Sequence, residues 1–593
     1  VFVYRQKFTA SQVKKAVFYG TALGVYEAEL NGVKIGRQMF APGFSYYPRR
    51  VLYQTHEVTE LLREGDNTLT VYLGQGWYCG RFLCENQTQI YGEQPAVAWI
   101  LELEDAAGSR RLVSDETVEE LESPYEYAGE YDGEIYFADG REKVTGHAAA
   151  YTREAPFALE PTLTEVRLQD EMPVREATVQ GDVTILDFGQ NFAGIVEIDP
   201  SFLTNETITI RHGEILNADG SLYTANLRKA KATIVYHAGA EKKKYRPRFT
   251  YMGFRYMELS GAAYQPGMIR AYALHTEMER TGYFSCENPL VQKLYENQVW
   301  GQKSNYVEVP TDCPQRDERM GWMNDATVRF EAVPYDFDVG RLFPKVVRDC
   351  MDVQDREGRI TCTAPFGFGA RPADPVCSSY LIAGWQSWLH TGNEEILREG
   401  YPGFCAWNEY LAGRSENGIV RYGYYGDWAA PVYACRGEED ASSAVTPAAL
   451  LSTGYFYYNS RLLAKMAGLL GKREDAVRHA ERAERIRGAF LREWWDGKTG
   501  RVGTGSQGCQ AFALWLGILP EGDRARAAAL LHRDLLDREF RFTTGNLCTR
   551  YLMDSLSRFG YLEDAWTLAV REEYPSIGYM LQNEATTVWE RFE

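Results

Sequence analysis

The sequence has no run approaching the roughly 18 apolar residues needed to span a bilayer. A typical apolar stretch, 511–519, is far too short, so a membrane-embedded chain is not expected. No secretory leader is visible, although the chain starts at Val1 rather than Met; a cytoplasmic location is the expectation. The eleven cysteines include no Cys-x-x-Cys pair. Odd in number and scattered, they suit a reducing compartment and outline no metal site. Histidine is scarce, eight residues with no His-Glu-x-x-His. There is no phosphate loop and no dinucleotide fingerprint. Gly74, Gly76 and Gly80 lie near a strand without a helix-opening pattern after them, so turns are expected there. No short-period repeat points to a solenoid. Positive charge is in deficit, 64 Lys and Arg against 82 Asp and Glu, a net −18. That balance opposes nucleic acid or an anionic membrane surface as partner. The basic run Lys242-Lys243-Lys244 is accordingly expected to be a solvated hairpin edge.

What is present is ample chain. At about 150 residues per domain, 593 residues make three to four domains. A composition 45% hydrophobic and 25% charged excludes a disordered chain. Aromatics reach 13%, with 39 Tyr and 13 Trp. Flat rings suit the C–H faces of sugars, and they serve core packing equally well.

From Val1 to about Thr281 the pattern is β. Residues 25–30 alternate, Asn31-Gly32 reads as a tight turn, and Val33 and Ile35 resume the alternation, which predicts a hairpin. Leu69, Val71 and Leu73 share one strand face, as do Ile208 and Ile210. Phe254 and Tyr256, with flanking Met residues, predict another strand. Turns are expected at Glu64-Gly65-Asp66-Asn67 and at Asp187-Phe188-Gly189-Gln190-Asn191. Short strands with frequent turns predict sandwiches rather than a parallel sheet. The polar stretch 154–164 is the expected boundary between two of them, 1–160 and 161–281.

From about Gly282 the period becomes helical. One helix is framed by Thr446 as N-cap, Pro447 at its first position and Gly471 as terminator, with an apolar stripe Leu451, Tyr455, Tyr458, Leu462, Met466, Leu469. The next carries Ala476, Ala480, Ala483, Ile486, Phe490 and Trp494 and ends at Asp496-Gly497. Others are predicted over 289–304, 326–338, 378–389, 394–411 and 523–536. Many antiparallel helix pairs predict a toroid of helical hairpins over 282–593.

One segment fits neither pattern: Val309-Pro310-Thr311-Asp312-Cys313-Pro314-Gln315-Arg316-Asp317-Glu318-Arg319-Met320-Gly321-Trp322-Met323-Asn324-Asp325. Pro310 and Pro314 preclude an uninterrupted helix. Its crowded carboxylates, with burial against Trp322, can keep a Glu protonated while the Arg residues hold the other acids ionised. An ion-paired surface loop has the same composition. At the C-terminus, Asn583-Glu584-Ala585-Thr586-Thr587-Val588-Trp589-Glu590-Arg591-Phe592-Glu593 again sets a Glu beside a Trp and an Arg; an amphipathic helix start reads the same way. On residues alone, an enzyme and a sugar-binding module both remain open.

The string from Asp312 to Trp322, followed by Asp325-Ala326, resembles the signature of bacterial α-L-rhamnosidases, glycoside hydrolase family 78. The tail Ala585-Thr586-Thr587-Val588-Trp589-Glu590-Arg591 resembles that family's second signature. Pro42-Gly43, Arg50-Val51-Leu52-Tyr53-Gln54, Glu64-Gly65-Asp66-Asn67 and Gly76-Trp77-Tyr78 resemble its N-terminal β-domain. Asp187 to Asn191 and Gly253-Phe254-Arg255-Tyr256 resemble its next β-sandwich, and Gly426-Asp427-Trp428 a loop of its (α/α)6 barrel. The resemblance implies a jelly-roll-like sandwich over 1–160, a concanavalin-like sandwich over 161–281 and an (α/α)6 barrel over 282–593. It implies an inverting hydrolase that releases terminal α-L-rhamnose from a glycoside or oligosaccharide, without cofactor or metal. Glu318 would be the general acid and Glu590 the general base. Asp312, Arg316, Trp322 and Asp325 would bind rhamnose, with Trp385 and Trp428 as wall residues. Inversion asks for carboxyl groups about 6.5–9.5 Å apart, with the attacking water between them. The alternatives are another glycosidase on such a barrel with a different sugar, or a catalytically silent sugar-binding protein.

Two departures from the family stand out. Glu584 replaces a usual Gly. The chain also stops three residues after Glu590, before the family's last barrel helix, a sugar-contacting His and a C-terminal β-domain. The expectation is an unclosed toroid with an exposed apolar seam and weak activity or stability.

Overall fold

The structure, a computed structural model, describes residues 1–83, 87–140, 143–151, 157–365, 369–437 and 440–592. Part of the expected boundary stretch, at Glu154, lies outside them. The chain divides into two compact units: Val1–Glu277 with Gln302–Met320, and Met278–Gly301 with Gly321–Glu593.

The first unit is β throughout. A six-stranded sheet runs Val144–His147, Glu119–Leu121, Phe2–Ala10, Gly65–Gly74, Val25–Leu30, Val33–Lys34. A five-stranded sheet runs Ala158–Pro161, Arg50–Glu57, Lys15–Leu23, Ala96–Asp105, Gly108–Val113. Their inner faces share one core, including Phe18, Leu30, Leu69, Val71, Leu73, Trp99 and Leu101. Burying these apolar faces against each other makes the sandwich. The predicted hairpin is present: Leu30 pairs with Val33, and Asn31 and Gly32 take φ of 55° and 77°. A two-residue turn needs both angles positive to match strand twist.

A third, nine-stranded sheet is ordered Tyr125–Gly129, Gly133–Phe137, Thr233–His237, Thr207–Gly213, Met252–Ser260, Val183–Ile198, Ile269–Thr276, Val166–Met172, with Glu176–Gln180 paired onto Val183–Ile198. The strands therefore do not separate at 160. Tyr125–Gly129 and Gly133–Phe137 leave the first sandwich for this sheet before the chain returns to Val144–His147. Buried Glu134 anchors the excursion by accepting bonds from the Tyr245 hydroxyl (2.6 Å) and the N–H groups of Arg248 (2.9 Å) and Phe249 (2.7 Å). The expected turn at 187–191 is instead a bulge inside strand Val183–Ile198. Asp187 pairs with Tyr256, and the next pair is Phe192 with Phe254. Gly189 at φ 72° and its N–H on Asp187 Oδ1 (2.6 Å) let the extra residues loop out without ending the strand. Gly76 also departs from expectation, because it opens a short helix, Gly76–Cys79.

The second unit is helical. Helix Met323–Arg329 packs on Ser379–Thr391, that on Ala448–Leu469, then Gln507–Leu516, then Asn546–Arg558, which packs back on Met323–Arg329. Helices Glu395–Arg414, Arg473–Trp494, Arg524–Asp537 and Leu562–Val570 pair with this inner series as hairpin partners. The open seam expected from the sequence is not seen between the first and last of these inner helices. There Arg550, on the last, pairs with Glu331, just beyond the end of the first. Pro447 is the N-cap of Ala448–Leu469, and the Thr446 hydroxyl goes to Ser506 Oγ (3.0 Å) instead; Gly471, at φ 73°, follows the end of the helix. The helix predicted over 326–338 is Met323–Arg329 followed by a 3-10 turn, Val333–Tyr335, because Pro334 has no N–H to continue it. Among the described residues, no helix is long and apolar enough to cross a membrane.

Candidate active site

In the β unit, 309–320 is an ordered loop without regular structure. Asp312 closes it: Met320 N–H donates to Asp312 Oδ1 (2.8 Å), and Asp312 N–H to the Met320 carbonyl (3.2 Å). Asp317 is fully buried and takes Arg81 Nη1 at 3.0 Å; Arg81 also holds Asp132. Arg319 is fully buried at φ 49°, donates to the Glu130 carbonyl (2.6 Å) and lies 4.3 Å from the Tyr251 ring centroid. Gly253 lets this loop approach, since a Cβ there would sit 2.9 Å from Gln315 N.

These anchors present Glu318. Tyr131 donates to its carbonyl at 3.0 Å. Its Oε2 accepts from Arg316 Nε (2.7 Å) and Arg228 Nη1 (2.9 Å). Arg316 therefore reaches Glu318 itself, where the sequence set the loop's arginines on the other acids. Beside them, burial pushes the Glu214 carboxyl up while Asn191 and Asn226 donate to it at 2.8 and 2.9 Å. The ligand atoms of Asp312, Cys313 and Glu318 lie within 4.8 Å of one another. Two guanidinium groups on Glu318 oppose a cation at that point.

The helical unit presents a second set. Trp322 is the N-cap of helix Met323–Arg329 and pairs with Thr363; Asp325 lies in the first turn, where the helix dipole favours a carboxylate. Tyr425 joins two indoles edge-on: Trp322 at 6.0 Å and 86°, Trp428 at 5.9 Å and 89°. Trp428 Nε1 donates to Glu590 Oε1 at 3.4 Å. Two buried carboxylates shape this segment. Asp374 accepts from Tyr425 N (2.8 Å) and Val376 N (3.0 Å). Asp427 accepts from Gly545 N and Cys548 N, both at 2.8 Å, at the start of helix Asn546–Arg558. Burial raises Asp427 to about 6, with those N–H bonds pulling it back down.

The 583–592 tail is not a helix start. It follows helix Ile577–Gln582 as a turn. Asn297 Nδ2 donates to the Ala585 carbonyl (2.7 Å), and Phe592 stacks on Phe542 at 5.5 Å. Glu584 has φ 59°, a conformation glycine adopts readily.

Trp322, Trp428 and Glu590 are thus brought together in the helical unit, and Asp312, Arg316 and Glu318 in the β unit. Trp385 is not in the ring series. Its neighbours are Trp388 (4.9 Å) and the Lys465 ammonium (5.4 Å). Sequence reasoning missed two residues. Tyr425 had a signal in the aromatic run Tyr422-Gly423-Tyr424-Tyr425, whereas Arg228, ninety positions from Glu318, had none.

Three family models match in order: the α-L-rhamnosidase N-terminal domain over 11–178, the bacterial α-L-rhamnosidase concanavalin-like domain over 177–275, and the bacterial α-L-rhamnosidase six-hairpin glycosidase domain over 279–593. An α-L-rhamnosidase of Streptomyces avermitilis is 33% identical over 98% of this chain and 57% of its own length. One from Alteromonas sp. strain LOR is 30% identical over 98% of this chain and 65% of its own. The crystal structure of the Streptomyces avermitilis enzyme complexed with L-rhamnose matches with a TM-score of 0.93 at 32% identity, covering 100% of this chain and 58% of that one. The chain thus spans 57–65% of the length of these curated relatives. Its β-rich domains lead into a helical six-hairpin domain, and the chain belongs to the bacterial α-L-rhamnosidase family.

Proposed function

We propose that the protein is an inverting glycoside hydrolase that releases terminal, non-reducing α-L-rhamnose from glycosides or oligosaccharides. The observation that carries this reading is the placement of Glu318. Its Oε2 is occupied by two guanidinium donors, while among the described residues Oε1 takes no hydrogen bond. Oε1 is thus the oxygen left to carry the transferable proton when Glu318 acts as the acid. Oε1–H gives that proton to the glycosidic oxygen as the C–O bond breaks. The two arginines then hold the carboxylate left behind. Glu590 takes a proton from the water that attacks the anomeric carbon on the opposite face. Trp428 Nε1 donates to Glu590 and orients that base. Asp312, Arg316 and Asp325 offer partners to the ring hydroxyls, and the Trp322–Tyr425–Trp428 rings an apolar wall for the sugar's methyl group.

The test is release of p-nitrophenol from p-nitrophenyl α-L-rhamnoside, with proton NMR of the first-formed sugar. β-L-Rhamnose is the expected initial product. Glu318→Gln is expected to lower turnover by about 10²–10⁴-fold on a leaving group that needs protonation, with the circular-dichroism spectrum unchanged. Wild-type rates in that variant would overturn the assignment of the acid.

A further inference from the structure

Resting on the reading of Glu318 as the acid, the leaving group must bind beside it, and the structure shows what stands there on the β side. Arg228 follows the 3-10 turn Ala225–Leu227 and reaches Glu318 with Nη1 at 2.9 Å. Its backbone, at φ 57° and ψ −112°, is one that L residues with a side chain rarely adopt. Asn226 on Glu214, and the buried Leu227, Ala230 and Ala232, fix the loop from beneath. The positions left outside are Arg228, Lys229 and Lys231, all cationic and exposed on a chain of net charge −18.

The acids nearby are already matched. Asp317 is held by Arg81; Asp132 is held by Arg81 and the Tyr127 hydroxyl (2.9 Å); Glu214 is held by two amides. Among the described residues, no carboxylate pairs with Lys229 or Lys231, and the remaining Arg228 donors meet no acceptor. Lys231 only overlies the Tyr127 ring, at 5.7 Å. A strained turn has thus been kept that sets Arg228 against Glu318, with the exposed Lys229 and Lys231 following it in the same loop.

We propose that the loop bearing Arg228, Lys229 and Lys231 forms the leaving-group subsite and selects a carboxylate-bearing partner, a uronic acid residue to which rhamnose is attached. Arg228 bridges Glu318 to that carboxylate through its outer guanidinium edge. The two lysines add longer-range attraction that salt weakens.

The experiment compares kcat/KM for an α-L-rhamnosyl uronate with that for its methyl ester, which keeps the shape and loses the charge. The free acid is expected to be favoured about tenfold at low salt, and the preference to shrink at about 1 M salt, where screening is short-ranged. Lys229→Glu combined with Lys231→Glu, both solvent-exposed positions, is expected to bring the acid-to-ester ratio to one or below. A ratio of one in the unaltered protein, with rhamnose released from both substrates, overturns the subsite and leaves the hydrolase reading intact. A ratio that survives charge reversal overturns the assignment to this loop. No release from these substrates or from the p-nitrophenyl rhamnoside overturns the hydrolase reading, and the subsite with it.

Discussion

The segment carrying Glu318 and the segment carrying Trp428 and Glu590 are built by different means. Around Glu318 the holding groups are side-chain charges: Arg316 and Arg228 on its carboxylate, Arg81 on Asp317, and Arg319 buried beneath. Around Trp428 they are backbone N–H groups converging on buried Asp374 and Asp427, with rings meeting edge-on. Backbone caps fix a shape at little cost in charge, which suits a wall. Guanidinium groups fix a carboxylate by stabilising its negative charge, which suits the group left once a proton has been given up.

That contrast can be broken most severely at Asp427. Asp427→Ala leaves the Gly545 and Cys548 N–H groups buried without an acceptor. The expected loss is about 2–4 kcal/mol of unfolding free energy in urea titration, with activity falling as Trp428 loses its support. A charge-held region should instead respond to pH, and Glu130 provides the next measurement. Burial raises its carboxyl to about 7, with Arg319 opposing. Its folded value therefore lies above the ordinary 4.5, and the folded state binds the proton more tightly. This contribution to stability is full below about pH 4.5 and is lost as pH rises through about 7. Glu130→Gln removes that proton uptake. Its stability should fall less steeply between about pH 5 and pH 7, by up to about 1.4 kcal/mol per pH unit. Equal slopes in the two proteins would show that Glu130 does not titrate differently on folding. The smallest effect is expected at Glu584. With φ at 59°, Glu584→Gly should raise stability by about 0.5–1 kcal/mol, read as a modest rise in Tm, since glycine meets no Cβ penalty there.

Much of this was legible from residue order alone. Alternation with Asn31-Gly32, and the Pro-broken charged loop before helix Met323–Arg329, are local signals set by backbone sterics. The helical stripes were legible for the same reason. The misreadings came where tertiary contacts decide. Asp187 to Asn191 has turn composition, yet sheet partners on both sides keep it within a strand as a bulge. Thr446 has N-cap chemistry, yet Ser506 claims its hydroxyl. Arg228 lies in an unremarked Leu-Arg-Lys-Ala run and acquires meaning only through Glu318.

The excursion of Gly133–Phe137 into the nine-stranded sheet has a consequence for biosynthesis. Gly133 lies in parallel register with Thr233, so when it leaves the ribosome its partner has not been translated. The first sandwich and the large sheet must mature together. An excised fragment ending near residue 160 would carry an orphan edge prone to pairing with other chains.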